Sequence, residues 1–200
     1  MRDIPGQYRS MQEGGWQTKP GQNLSGKTLG IVGLGNLGSR VAKVGLAFEM
    51  NVIAWSQNLT DERAAEVGVK KVNKEELFAN SDVITIHYGM SDRSRGMIGE
   101  TEFLQMKENA YIVNTSRSPI IDQEALYKAL TTNLIAGAAL DVFTVEPLPA
   151  DDRFRKLDNV LLTPHLGYVT IENHAKHYSD IIENITKFMD GDPIRILNAV

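Results

Sequence analysis

The apolar positions of this 200-residue chain fall into short runs that alternate with longer stretches of helical spacing. Thr28–Gly33 (TLGIVG) is a continuous apolar run of strand length. Leu37, Val41, Val44 and Phe48 then recur at the three- and four-residue spacing of a helix over Leu37–Phe48. The alternation continues with a strand at Val52–Trp55, a helix through Asp61–Val67, a short strand at Val69–Val72, a helix at Glu75–Ala79 and a strand at Val83–His87. Thr101–Met106 reads as a helix, Ala110–Asn114 as a strand, and Gln123–Thr132 as a helix capped by Asp122. Ile135–Asp141 and Val160–Leu162 supply the last strands, and Ile171–Asp190 forms a long closing helix. Apolar strands separated by helices imply a parallel sheet buried on both faces. The expected fold class is therefore α/β, a doubly wound parallel sheet with helices on both faces. Residues 25–170 form this domain, residues 1–24 an arm entering it, and residues 171–200 a closing helix and tail.

The turn after the first strand reads Gly33-Leu34-Gly35-Asn36-Leu37-Gly38 and opens a helix, the context of a dinucleotide fingerprint in a Rossmann-like domain. The first glycine permits a tight turn, the second lets backbone approach a pyrophosphate, and the third lets helix pack closely on strand. The helix N-terminus adds free N–H groups and a positive dipole end. The same fingerprint calls for an acid about 20 positions on, to bind the ribose 2′-hydroxyl. Here the second strand runs into Ser56-Gln57-Asn58 and the acid is absent. Ser56 and Asn58 can hydrogen-bond a ribose without repelling a 2′-phosphate, and the nearest arginine is Arg63. The choice between NAD and NADP stays open.

Ligands of an open parallel sheet lie outside the carboxyl ends of its strands. His87 ends one strand, Arg117 follows another by three residues in VNTSRSPIID, Glu146 follows ALDVFTVEP's strand by five, and His165 follows LLTP. A guanidinium, a carboxylate and an imidazole thus share the edge of the glycine motif. Arg117 can bind a substrate carboxylate and polarise a neighbouring oxygen. His165 can exchange a proton near neutral pH, and Glu146 can orient an imidazole and favour its charged form. Hydride transfer between a nicotinamide and a 2-hydroxy acid needs these three groups.

Composition narrows the alternatives. With 42% hydrophobic and 23% charged residues, the chain can bury a sizeable core. A formal charge of −4 without a basic stripe gives no reason to expect nucleic acid. The absence of cysteine excludes disulfides and thiolate chemistry. His174 and His177 lie three apart on the last helix with no evident third ligand, so they read as a solvated face and no metal is expected. Neither a signal-like N-terminus nor a run of ~20 apolar residues is present, and a cytoplasmic location away from membranes is expected.

Four segments, LSGKTLGIVGLGNLG, VNTSRSPIID, IAGAALDVFTVEPLP and NVLLTPHLGYVT, resemble in order and spacing the cofactor-binding portion of the D-isomer-specific 2-hydroxyacid dehydrogenases. The resemblance implies an NAD(P)-dependent oxidoreductase acting on a 2-hydroxy or 2-keto acid. It places Arg117, Glu146 and His165 on the family's catalytic arginine, glutamate and histidine. It places Gly33, Gly35 and Gly38, with Asn36 and Leu37, on the pyrophosphate loop. Thr115 and Asp141 fall at the nicotinamide end, and Ser56, His87 and Gly167 also count among cofactor contacts. A homodimer built through the cofactor domain is implied as well.

Departures from the family pattern sharpen the question. The substrate domain that begins family members is expected to be lacking, with activity then requiring that domain in a longer chain. The closing helix would expose Ile171, Ala175, Tyr178, Ile182, Ile185 and Met189. Ser118 stands where the family has glycine, and would cost about 1 kcal/mol if that position needs positive φ. Asn36 replaces a basic residue. The alternative reading is a non-catalytic, dimeric NAD-binding remnant of such an enzyme.

Overall fold

The computed structural model describes residues 1–197. The chain divides into two compact units, Met1–Thr163 and Pro164–Val200. In the first, seven strands form one sheet: Thr28–Val32 (β1), Asn51–Trp55 (β2), Lys70–Lys71 (β3), Val83–Ile86 (β4), Tyr111–Asn114 (β5), Gly137–Leu140 (β6) and Val160–Leu162 (β7). They pair in the order β3-β2-β1-β4-β5-β6-β7, every pair parallel. The order reverses between β1 and β4, which opens a crevice at their carboxyl ends. This is the doubly wound α/β fold that the alternation of the sequence implies.

Six helices belong to this unit: Ile4–Gln12 (α1), Asn36–Ala47 (α2), Asp61–Val67 (α3), Lys74–Asn80 (α4), Glu100–Gln105 (α5) and Gln123–Thr131 (α6). Local chemistry sets their ends. Asp122 caps α6 by accepting from the Glu124 and Ala125 amides at 2.9 and 3.0 Å. Asn73 and Glu76 form a reciprocal capping box at α4, and α3 stops at Gly68 with φ 76°. The arm expected to lie outside the alternation contains α1, which buries no residue.

Two apolar clusters cover the sheet. Leu29 and Ile31 of β1 and Val52 and Ala54 of β2 join Ala42 of α2 and Ala64 and Val67 of α3. Val32, Ile84, Ile86 and Ile112 join Leu77, Phe103 and Leu126 from α4, α5 and α6. Successive residues of β1 thus point to opposite clusters, as the period of two in a strand demands.

One helix is seated differently from its sequence pattern. The spacing of Leu37, Val41, Val44 and Phe48 identifies α2, yet Gly38, Ala42 and Gly45 are its buried residues. A Cβ at Gly45 would come within 2.6 Å of Leu29 Cδ2, so α2 lies too close to the sheet for large side chains. Leu37, Val44 and Phe48 are left exposed.

The second unit carries Ile171–Met189 (α7), which Thr170 caps by accepting from the Asn173 amide at 3.1 Å. None of its residues is buried, and Ile171, Tyr178, Ile182, Ile185 and Met189 are exposed. No helix among the described residues is long and apolar enough to cross a membrane.

Candidate functional site

The glycine loop occupies the crevice where strand order reverses. The Gly33 amide donates to the Trp55 carbonyl at 2.8 Å and the His87 amide to the Val32 carbonyl at 2.8 Å, tying the ends of β1, β2 and β4 together. Gly33 has φ 98°, and a Cβ there would stand 2.5 Å from the His87 carbonyl oxygen. A Cβ at Gly38 would collide with the Gly33 carbonyl oxygen. Gly35 differs, because a Cβ there would meet no atom within 4 Å. Gly33 and Gly38 are thus demanded by packing, whereas Gly35 keeps backbone bare toward open space. Gly35 heads α2 without a side-chain cap, so the first-turn amides of Asn36, Leu37 and Gly38 meet no side-chain acceptor of the cap residue. Bare backbone, unclaimed amides and the positive end of a 12-residue helix fit the pyrophosphate of a dinucleotide.

Ser56, which the sequence puts where a ribose contact is expected, accepts from the Leu34 amide at 3.4 Å and so braces the loop. Beside it opens a cleft of about 640 Å³ lined by Trp55 at the end of β2, Gln57 and Asn58 after it, and Tyr88, Ser91 and Arg93 after β4. The Trp55 and Tyr88 rings stack at 6.3 Å, giving the cleft an aromatic wall. Lys74 also reaches it, but its ammonium is held by Glu102 and the Met97 carbonyl, both at 2.6 Å. His87 sits at the rim of the glycine loop through its backbone. Its Nε2 lies 2.9 Å from Thr85 Oγ1, and burial pulls its pKa below the ordinary imidazole value of 6.5.

The loop carrying Arg117 is shaped by a residue that the sequence reading passed over. Asn114, 1% exposed at the end of β5, accepts from the Ser116 amide through Oδ1 and donates to the Arg117 carbonyl through Nδ2, both at 3.0 Å. An asparagine at a strand end is a turn signal, and that signal was available in VNTSR. Ser116 Oγ donates to the Tyr88 carbonyl at 2.6 Å, joining this loop to the one after β4. Arg117 is exposed, with Nη1 donating to the Ser116 carbonyl at 2.7 Å, and Thr115 is exposed beside it.

Ser118 imposes none of the strain that a positive φ would bring: it begins a 3-10 turn, Ser118–Ile120, and is absent from the positive-φ residues. Its hydroxyl is 3.0 Å from Thr144 Oγ1, linking the Arg117 loop to the loop of Glu146. Glu146 Oε1 accepts from the Phe143 amide at 2.8 Å, and a cis peptide bond joins Glu146 to Pro147. Asp141, buried at the end of β6, donates its amide to the Asn114 carbonyl at 3.0 Å and accepts from the Thr163 hydroxyl.

The first unit therefore gathers the glycine loop, Ser56, His87, Thr115, Arg117, Asp141 and Glu146 at the carboxyl ends of the strands. His165 and Gly167 belong to the second unit. His165 is half-buried with φ 53°, a left-handed conformation uncommon outside glycine, and its ring meets Tyr168 edge-on at 5.4 Å. Gly167 is exposed two residues on. Of the paired histidines on α7, His174 stacks on Tyr178 at 6.5 Å. No cluster of three metal-ligating side chains occurs among the described residues.

Known proteins share this fold. Residues 1–167 match the model of the D-isomer specific 2-hydroxyacid dehydrogenase NAD binding domain. A D-3-phosphoglycerate dehydrogenase of Archaeoglobus fulgidus is 43% identical over all of this chain, which covers 38% of that protein. A glyoxylate reductase of Korarchaeum cryptofilum is 38% identical over 95% of the chain and 59% of its own length. The solved structure of a phosphoglycerate oxidoreductase from Vibrio cholerae superposes with a TM-score of 0.90 at 36% identity, covering 95% of this chain and 62% of that one. The chain thus spans less than two thirds of the length of each of these relatives. With a match of this extent, on a sheet and glycine loop of this form, the chain belongs to the D-isomer-specific 2-hydroxyacid dehydrogenase family through its NAD-binding domain.

Proposed function

We propose that this chain binds a nicotinamide dinucleotide across the β1–β4 crevice and serves hydride transfer between that cofactor and a 2-hydroxy or 2-keto acid. The observation that carries the reading is Gly35, bare backbone facing open space at the head of α2. The cofactor, when bound, supplies the hydride chemistry. The chain's own residues do the rest. The first-turn amides of α2 hold the pyrophosphate, and Thr115, Asp141 and Gly167 serve the nicotinamide end. Arg117 binds the substrate carboxylate through its planar fork and polarises the C2 oxygen. His165 takes the hydroxyl proton in oxidation and returns it in reduction, and Glu146 is the carboxylate of the proposed set. The relatives named phosphoglycerate dehydrogenase and glyoxylate reductase support a small 2-hydroxy or 2-keto acid as substrate.

We also infer that the chain pairs with a second copy through the exposed stripe of Leu37, Val44 and Phe48 on α2, because contiguous apolar surface favours association. A location in the cytoplasm accords with this metabolic role.

The test is direct. NADH and NADPH binding is followed by fluorescence, then their oxidation is measured with glyoxylate and hydroxypyruvate. Binding with turnover that His165→Ala abolishes supports the reading. Binding with no turnover assigns the chain to the non-catalytic alternative. Failure to bind either cofactor overturns both.

A further inference from the structure

The cleft beyond β2 has a charge pattern that the proposed reaction does not use. A dinucleotide with its pyrophosphate over Gly35 extends its adenosine end toward the end of β2. The five residues after Trp55 are Ser56, Gln57, Asn58, Leu59 and Thr60, none of them acidic. The next acids head α3, where Asp61 is paired with Lys71 at 3.2 Å. No carboxylate lines the cleft, whereas Gln57, Asn58 and Ser91 offer donors and Lys74 and Arg93 carry charge. Lys74 is already compensated by Glu102. Arg93, on the loop between β4 and α5, enters no ion pair or hydrogen bond among the described residues. Its uncompensated guanidinium therefore faces a cleft that has polar donors and no acid to reject a dianion.

We propose that Arg93, with Gln57 and Asn58, binds the 2′-phosphate of an NADP-type cofactor, so that this chain selects the phosphorylated dinucleotide from the loop after β4. The proposal rests on the dinucleotide reading above and adds the specificity of that site. A guanidinium meets a phosphate with two parallel N–H donors, and the amides of Gln57 and Asn58 supply further donors to its remaining oxygens. A cofactor with a free 2′-hydroxyl would leave Arg93 without a counter-charge.

The experiment is isothermal titration of the full chain with 2′,5′-ADP and with 5′-AMP, which differ by the 2′-phosphate alone and need no turnover. The expected result is that 2′,5′-ADP binds about tenfold or more tightly, the scale of one charge-assisted contact. Arg93→Ser removes that preference and leaves 5′-AMP affinity unchanged; Arg93 is exposed, so the variant folds, as circular dichroism verifies. Equal affinities, or a preference that survives Arg93→Ser, overturn the assignment while leaving the dinucleotide reading in place. If neither nucleotide binds, the dinucleotide reading falls and this proposal with it.

Discussion

Ser118 Oγ lies 3.0 Å from Thr144 Oγ1, and this contact joins the loop that presents Arg117 to the loop that presents Glu146. Ser118 is 2% exposed, so its hydroxyl has little access to water if the partner is lost. Thr144→Val is expected to cost about 1–3 kcal/mol, the penalty of an orphaned buried hydroxyl. Because Ser118 does not have positive φ, Ser118→Gly is expected to destabilise as well. Urea denaturation of the two variants checks both outcomes; a gain in stability for the glycine variant would mean that the serine is strained.

The three loop glycines are expected to separate stability from binding. Gly35→Ala adds a methyl to open space at a φ of −82°, so stability changes by about 1 kcal/mol or less. NADH affinity should nevertheless fall about tenfold or more, because the methyl enters the space proposed for the pyrophosphate. Gly38→Ala drives its Cβ into the Gly33 carbonyl, for which roughly 2–3 kcal/mol of lost stability is expected. Thermal unfolding and fluorescence titration, run side by side, distinguish the two effects.

His87 predicts a pH dependence with a definite sign. Its folded pKa lies below the ordinary 6.5 because burial disfavours the imidazolium. The unfolded chain therefore takes up a proton at His87 before the folded chain does. Its contribution is fully present above 6.5 and is lost as pH falls from there through the folded pKa. Asp82 adds a separate step in acid. Burial opposes its ionisation, but the Thr28 amide at 2.8 Å and the ammonium groups of Lys107 and Lys27 outweigh burial and hold its pKa below 3.8. Its stabilisation is present above 3.8 and disappears as pH drops through the folded value. Denaturation midpoints from pH 8 to pH 3 should show the first loss diminished in His87→Gln and the second in Asp82→Asn.

The apolar stripe of α2 gives a test of association. Phe48 is 54% exposed and Val44 55% exposed, so Val44→Glu with Phe48→Glu should leave folding within roughly 0.5 kcal/mol per site. Sedimentation equilibrium is expected to show a dimer for the parent chain and a monomer for the double variant. A parent that remains monomeric at all concentrations would remove the stripe as an interface.

Short-range rules account for much that the sequence made legible. Helix Asp61–Val67 and strand Val160–Leu162 stand where the apolar pattern puts them, and Asp122 caps α6 as its position before an apolar-periodic run implies. The glycine turn opening α2 is a local signal of the same kind. Arg117 was legible as a polar residue just past an apolar strand. Thr144 was less so, because its importance comes from Ser118, 26 residues away on another loop.

The sequence by itself determined the alternation of strands and helices, the parallel sheet, the glycine turn and the residue types that follow each strand. These depend on periodicity, capping and backbone freedom over a few neighbouring positions. Only the tertiary structure decided that α2 buries Gly38, Ala42 and Gly45 and not its larger apolar residues, since the available depth is set by Leu29 and Val52 on separate strands. It likewise decided that Ser118 sits without strain against Thr144, 26 residues away, and that Arg93 shares a cleft with Gln57 and Asn58. Such relationships arise when the sheet brings distant strand ends together, and no local pattern carries that information.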